Sequence, residues 1–458
     1  MKRLSLIFLL VLASCATAAE SPRPAPTLVA PDLRWWAGFA DPQLDALLRE
    51  TLAANPDLKI AAARLDVTQA ALAGARSERR PSLNLGASAQ RRAYTRRERA
   101  ENPSLKNAAT TLTLGPSASF EIDLWGRLAR GVEAGSTEVL ASAEDAAALQ
   151  LALTGEVAAA WFALRANAEE QRLLVLRAAQ ARAALVILVA RQSSGLADAN
   201  PAEEQRRTLT LLDREASASM EEKSTLLHRL AALRGLHAAD APALAIPPLA
   251  SAPANPLPAT FTTAVLARRP DLRAATARLA AQQARVGEAR AAALPSLALS
   301  AEGLFTGESL RELLRTGSLG GFIAAQIAAP LFDGGRRAAR TESARAELTA
   351  AAETYAAIVV QVFQETADAL ARVEAARAEG AAAEVALRSA HRLADLAESR
   401  RAAGLTDRLT PLSAEAEMLT AATDLVRARL GEVHALIVLA KTLGGDWPAP
   451  ASLIASVP

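Results

Sequence analysis

Few of the 458 residues have side chains suited to covalent chemistry, and those few are poorly spaced for it. His228, His237, His391 and His434 form no His-Glu-x-x-His pair, and no Gly-Lys-Ser/Thr phosphate loop occurs, so zinc hydrolysis and nucleotide chemistry both lack a scaffold. No catalytic residue, metal site or bound cofactor is expected, and the histidines read as solvated helix-face residues. Cys15 is different. It follows Leu12-Ala13-Ser14, at the end of a segment that opens with Met1-Lys2-Arg3 and continues as an apolar run, Leu4 to Ala13, too short to span a bilayer. Small residues before a cysteine at this place form a lipobox, whose chemistry is removal of residues 1–14 and covalent lipidation of the Cys15 thiol. Cleavage after Ala16-Thr17-Ala18 also obeys the small-x-small rule and would discard Cys15, but either route exports the chain. Ala16 in place of an aspartate after the cysteine points to the outer membrane.

Two further acids gain their interest from position. Asp198 and Asp407 close the turns Gly195-Leu196-Ala197-Asp198 and Gly404-Leu405-Thr406-Asp407, 209 residues apart. Such an acid caps the helix that follows it; alternatively, where copies of the chain meet on an axis, it forms a carboxylate ring that binds cations or closes a constriction through nearby arginine. Both readings stay open at this point.

The elements that position these turns come in two sets, because the chain is a duplication. Asn55-Pro56-Asp57-Leu58 recurs as Arg269-Pro270-Asp271-Leu272 and Pro81-Ser82-Leu83 as Pro295-Ser296-Leu297, both at a spacing of 214. Asp123-Leu124-Trp125-Gly126-Arg127 aligns with Phe332-Asp333-Gly334-Gly335-Arg336, Gly195 with Gly404 and Gly235 with Gly444, all at 209, so one five-residue step separates the halves' registers. The organisation read from this is a signal segment 1–14, a Pro-rich tether 15–40, a first repeat 41–240, a linker 241–258, a second repeat 259–447 and a tail 448–458.

Within each repeat the hydrophobic period changes in the same order. Helical pieces over 41–78 and 259–293 are followed by period-two stretches. Leu83, Leu85, Ala87 and Ala89 alternate with Ser82, Asn84, Ser88 and Gln90; Leu112, Leu114, Ala118, Phe120 and Ile122 alternate with Thr111, Thr113, Ser117, Ser119 and Glu121. Leu297, Leu299 and Ala301, then Ile323, Ala325, Ile327 and Leu331, repeat the pattern in the second half, giving four strands in two hairpins near 82–122 and 296–331. Arg91 to Thr110 reads as a charged loop in water, and its shorter partner near 306–317 accounts for the five-residue step. The alternation suits a half-buried sheet or a membrane barrel. Four strands cannot close a barrel in hydrocarbon, whereas three copies supply twelve. Neither Pro116 to Pro201 nor Pro330 to Pro411 is interrupted by proline, so 128–192 and 337–403 read as single helices of about 100 Å at ~1.5 Å per residue, each with a returning helix beyond its Gly turn.

Composition agrees with this architecture and excludes others. About a quarter of the residues are alanine and only 3% are aromatic, which favours closely packed helices. With 51 Lys+Arg against 49 Asp+Glu, no bulk charge exists to hold nucleic acid. The fold class expected is mainly α with a small β part: a long α-helical barrel plus four strands per protomer.

Trp35-Trp36, Phe39-x-Asp41-Pro42-x-Leu44, Asn55-Pro56-Asp57-Leu58, Asp123-Leu124-Trp125-Gly126-Arg127, Arg268-Arg269-Pro270-Asp271-Leu272, Pro330-Leu331-Phe332-Asp333-Gly334-Gly335-Arg336-Arg337 and Leu443-Gly444-Gly445-Asp446-Trp447 together resemble the outer membrane factor family, the TolC-like channels, in their NodT or OprM type lipoprotein branch. The resemblance runs through nearly the whole mature chain. It implies a homotrimer with a twelve-stranded barrel in outer-membrane lipid and a helical tunnel across the periplasm, serving as exit duct of a tripartite pump with a periplasmic adaptor and an inner-membrane transporter. A duct for protein secretion, or a periplasmic structural lipoprotein without a channel, are the alternatives. The resemblance places a gate at the helical tips, with Asp198, Arg401, Asp407 and Arg408 as its candidate residues. Family members often carry Tyr, Phe and Val where this chain has Arg401, Arg408 and Pro411, so a tyrosine-mediated closing network does not carry over, and Arg401 and Arg408 are candidate ion-pair partners whose pairing the sequence does not give. Asp123, Trp125, Gly126, Asp333, Gly334 and Gly335 mark strand-to-helix transitions, with Trp125 expected at the lipid headgroup level.

Overall fold

The computed structural model describes residues 35–240, 243–249, 268–313 and 315–445. Cys15, the signal segment, most of the tether and linker, and the tail lie outside them. After a 3₁₀ turn at Trp35–Phe39 the elements are α1 (Pro42–Ala54), α2 (Pro56–Ser77), β1 (Ser82–Ala93), α3 (Arg96–Glu101), β2 (Ala108–Ile122), α4 (Arg127–Ser193) and α5 (Asn200–Leu233). The second repeat gives α6 (Pro270–Ala291), β3 (Ser296–Gly307), α7 (Leu310–Leu313), β4 (Leu319–Ala328), α8 (Arg336–Ala402) and α9 (Leu409–Thr442). Mainly helical with one small sheet, it repeats element lengths: α4 and α8 have 67 residues each, α5 and α9 have 34, and α2 and α6 have 22.

Local chemistry explains the recurring motifs. Asp41 caps α1, accepting from the Gln43 and Leu44 N–H groups at 3.0 and 3.1 Å, with Pro42 pre-set for the first turn. Asn55 caps α2 through the Asp57 and Leu58 N–H groups and donates its own amide to the Leu233 carbonyl at 2.8 Å, fastening the start of α2 to the end of α5. Arg269 occupies the matching place in the second repeat and donates to the equivalent carbonyl, that of Thr442, at 3.5 Å. Gly235 is required at this contact, since its φ is +70° and a Cβ would lie 2.9 Å from the Ala54 carbonyl oxygen.

The long helices are held in register by ion pairs and by small side chains. Arg427 on α9 reaches Glu170 on α4 at 3.2 Å, Arg377 on α8 reaches Glu432 on α9 at 3.3 Å, and Arg177 on α4 reaches Glu215 on α5 at 3.4 Å. These pairs are half-buried on at least one side and still open to solvent, so each contributes about 1 kcal/mol or less and they set register more than stability. Stability comes from packing such as that of Ala369, Val373, Leu436, Leu439 and Leu443, all buried. At the first described residues Trp35 donates to Thr154 Oγ1 at 3.1 Å, while Trp161 and Arg165 donate to Asp41 Oδ2 at 2.9 and 2.6 Å. Arg165 also donates to the carbonyls of Pro247 and Pro248, so the described part of the linker is pinned against α4.

The sheet has the order β1-β2-β3-β4 and is antiparallel throughout. Its register carries the alternation across all four strands. Leu83, Ala118, Ala301 and Ile323 lie in one row on one face, and Ser82, Ser119, Ser300 and Ala324 in a neighbouring row on the other. β1 runs to Ala93 because Arg91 and Arg92 pair with Thr110 and Ala109, so ladder pairing overrides the loop reading of these arginines. β4 spans 319–328 and leaves Leu331 outside it, since Pro330 has no N–H to continue a ladder. The five-residue step is also distributed differently from the expectation: the second interstrand loop is three residues shorter, β4 is five shorter than β2, and the turn after it is three longer. His434 corrects the solvated reading, being half-buried with its ring 3.3 Å from the Ala159 carbonyl oxygen, and His237 lies in the turn after α5.

Candidate functional site at the helical tips and strand-to-helix junctions

The α4–α5 and α8–α9 turns are built alike. Gly195 and Gly404 take φ of +70° and +74°, and the Leu196 and Leu405 N–H groups reach back to the Arg191 and Arg400 carbonyls, each at 2.9 Å. This glycine stop throws Leu196 and Leu405 outward, 78% and 75% exposed.

The acids in the two turns are used differently. Asp407 Oδ1 accepts from the Leu409 and Thr410 N–H groups at 3.0 and 3.1 Å and so caps α9. Its Oδ2 accepts from Arg191 Nη2 of the first repeat at 2.7 Å. One carboxylate therefore does two jobs: one oxygen caps α9, the other joins the two tips of the same protomer. The Arg191 hydrogen bond is the main cause holding the Asp407 carboxyl below the usual range, assisted by the Thr410 N–H. Asp198, at the equivalent place, is exposed and makes neither a cap nor an ion pair among the described residues. Arg401 does not reach a tip acid; it holds Glu398 one turn earlier, with Nε at 2.7 Å from Oε2. Arg408 is exposed and adds to the positive field at Glu398. Arg191 is the residue missing from the expected set. Its only sequence signal is its place four residues before Gly195, matched by Arg400 before Gly404.

At the other ends of α4 and α8 the sheet becomes helix. Gly126 takes φ of +75°, and Gly334 and Gly335 take +65° and +87°, turns that a Cβ would strain. Asp123 accepts from the Ala129 N–H at 2.8 Å, and Arg127 forms a two-pronged pair with Glu121 at 3.0 and 2.8 Å. Trp125, 52% exposed, donates its indole N–H to the Pro295 carbonyl at 2.7 Å. In the second repeat Asp333 accepts from the Gly335 and Arg337 N–H groups and from Arg337 Nε, the contact chiefly responsible for its lowered pKa. Arg337 then does the work of Trp125, donating to the Ala293 carbonyl at 3.1 Å. Both junctions are thus tied to the same short segment ahead of β3. Among the described residues no three His, Cys, Asp or Glu side chains converge as a metal site.

Comparison with known proteins agrees with this geometry. The family model for outer membrane efflux proteins matches twice, over residues 47–236 and 262–445. The pyoverdine export outer membrane protein OpmQ of Pseudomonas putida is 30% identical over 437 residues, 94% of this chain and 92% of its own length. The outer membrane protein OprJ of Pseudomonas aeruginosa is 27% identical over 98% of this chain and 97% of its own. Among solved structures, the outer membrane protein VceC of Vibrio cholerae superposes with a TM-score of 0.81 at 26% identity, covering 91% of this chain and all of VceC, and the outer-membrane channel OprN with 0.79 at 25%, covering 90% and 92%.

Proposed function

The chain belongs to the outer membrane efflux protein family and is an outer membrane protein, and from that premise we propose that it is the trimeric exit duct of a tripartite efflux system, conducting passively. The observation that carries the proposal is the sheet: an unbroken apolar face, a face behind it that holds the Ser, Thr, Gln and Glu side chains with Leu304 and Phe322 as its bulky apolar exceptions, and two uncovered edges, β1 and β4, that run antiparallel to each other. Bare edges are prohibitive in hydrocarbon. Joining β1 of one copy to β4 of the next closes them, and three copies reach twelve strands, a working barrel size. The apolar rows then face lipid, the Ser, Thr and Glu rows line the lumen, and the ~100 Å helices carry the wall through the periplasm.

The tips form the gate. Arg191 and Asp407 tie the two hairpins of a protomer together, and release of the three pairs lets the hairpins move apart. Leu196 and Leu405, exposed at equivalent places, give a periplasmic adaptor six apolar handholds per trimer, and the adaptor links the duct to an inner-membrane transporter. A covalent lipid on Cys15 adds an anchor. The relatives' names mention pyoverdine, toluene, solvents and antibiotics, so cargo varies among chains of similar likeness and selection belongs to the pump.

Paired cysteines placed along β1 and β4 test the proposal. Oxidation in whole cells yields covalent dimers and trimers at one register if the edges meet between copies. Monomer alone at every register contradicts it.

A further inference from the structure

The rim of the sheet far from the long helices carries charge that its own fold leaves unused. Between Arg91 and Lys106 and between Glu308 and Arg315 there are eight basic side chains and four acidic ones, a surplus twice the +2 of the whole chain. Every acid is engaged. Glu98 accepts from Arg92 at 3.0 Å and from the Thr95 N–H at 2.8 Å, Glu101 from Arg97 at 3.1 Å, Glu308 from Lys106 at 2.7 Å, and Glu312 from the Glu308 N–H at 3.0 Å. Arg99 is turned to Asn107. Arg91, Arg96, Arg311 and Arg315 are exposed, and their guanidinium groups have no hydrogen-bond or ion-pair partner among the described residues.

The register fixes the face of one of them. Arg91 follows Leu83, Leu85, Ala87 and Ala89 on the apolar face of β1, two residues past the last small apolar side chain. Aromatic residues usually mark the level where barrel strands leave hydrocarbon. Here Trp125 and Phe332, 52% and 90% exposed, mark the end beside the helices, and on the apolar face of the far end Phe305 stands alone, paired with Leu114 and Leu319. Of the two tyrosines only Tyr94 is at the far rim, with the Arg92 guanidinium 5.2 Å above its ring.

We propose that this rim binds the phosphate groups of outer-leaflet lipid, with Arg91 and Arg96 as principal ligands and Arg311 and Arg315 adding to the field. The inference rests on the reading of the sheet as a membrane barrel. Guanidinium matches phosphate as a fork, and a phosphorylated headgroup supplies negative charge to a rim whose carboxylates are outnumbered two to one by its cations. Anionic cargo in the lumen would meet the opposite face, where Arg92 is already neutralised by Glu98.

The test uses the full-length protein in detergent, offered bisphosphorylated lipid A, monophosphoryl lipid A or phosphatidylcholine, with retained lipid counted by native mass spectrometry and inorganic phosphate as competitor. The wild type retains the bisphosphorylated lipid preferentially, and millimolar phosphate does not displace it. The R91Q/R96Q double variant loses affinity by about 25-fold, roughly fivefold per arginine, more at low salt. Its trimer mass and conductance stay at wild-type values, and R91K/R96K regains part of the binding. Equal retention by wild type and R91Q/R96Q overturns the proposal, as does displacement by inorganic phosphate. So does unchanged lipid retention with a reversal potential shifted toward cations, which would make the rim a vestibule for anionic cargo. Failure of the barrel reading looks different: the wild type then enters no phosphatidylcholine bilayer at all.

Discussion

Removing Arg191 separates the two duties of Asp407. Arg191→Ala leaves the α9 cap intact, because Oδ1 still accepts from the Leu409 and Thr410 N–H groups, and deletes only the 2.7 Å contact between hairpins. The side chains are 35% and 43% exposed, so the pair is a screened surface interaction of about 0.5 kcal/mol. Three pairs released in concert amount to about 1.5 kcal/mol, close to a tenfold rise in the open-to-closed ratio. Asp407→Asn preserves a capping oxygen and removes the charge, so it should match Arg191→Ala. Asp407→Ala loses both, adding ~1 kcal/mol of helix destabilisation per protomer. Open probability in planar bilayers at low ionic strength, with helix stability followed on the same proteins, reads the three variants. If Arg191→Ala and Asp407→Asn gate like wild type while Asp407→Ala loosens the tip, the acid is a cap alone and the gate lies elsewhere.

Four further outcomes follow from the same structure. Because Arg191 holds the Asp407 carboxyl below its unfolded value of about 3.9, the pair's contribution is complete above that pH and is lost only as pH falls through the depressed native value; wild-type open probability should rise below about pH 4, and that of Arg191→Ala should stay flat. Gly115→Ala places a Cβ 1.8 Å from the Gly303 carbonyl oxygen, so the β2–β3 ladder should part and the trimer mass be lost in native mass spectrometry while the far-ultraviolet helical signal persists. Arg165→Ala leaves Asp41 buried without its cation and frees the Pro247 and Pro248 carbonyls, which should cost about 3 kcal/mol or more in thermal unfolding, with Arg165→Lys recovering only part. Replacing Leu196 and Leu405 together by Asp should abolish adaptor capture by purified protein and leave single-channel conductance unchanged.

Much of the architecture was legible because it is written twice. The long helices, read as 128–192 and 337–403, occupy Arg127–Ser193 and Arg336–Ala402; proline-free runs ending in glycine define such elements almost by themselves. The strands were less sharply defined. Arg91 and Arg92 look like loop residues until their partners Thr110 and Ala109 are placed beside them, and β4 is rich in Gly and Ala, which blurs alternation. The tip contact was half legible. Asp407 stands out by duplication, but its partner is 216 residues away, a distance that only the fold closes. Arg401 and Arg408 attracted notice because they replace residues of the family pattern, yet Arg401 is held by a glutamate three residues away on its own helix, a contact of local geometry that outcompetes the tip. Asp198 sits in a similar turn, but Pro201 stands where Thr410 donates its N–H to Asp407, so one of the two capping donors is missing there.

Planar-bilayer conductance of the detergent-extracted protein, with oligomeric mass determined on the same sample, addresses the central claim directly. A trimer that inserts and shows discrete ion-conducting steps, more often open in Arg191→Ala, is what the shared barrel and the tip contact predict. A monomer that remains water-soluble without its lipid, and that neither the wild type nor Arg191→Ala carries into a conducting state, would contradict the duct.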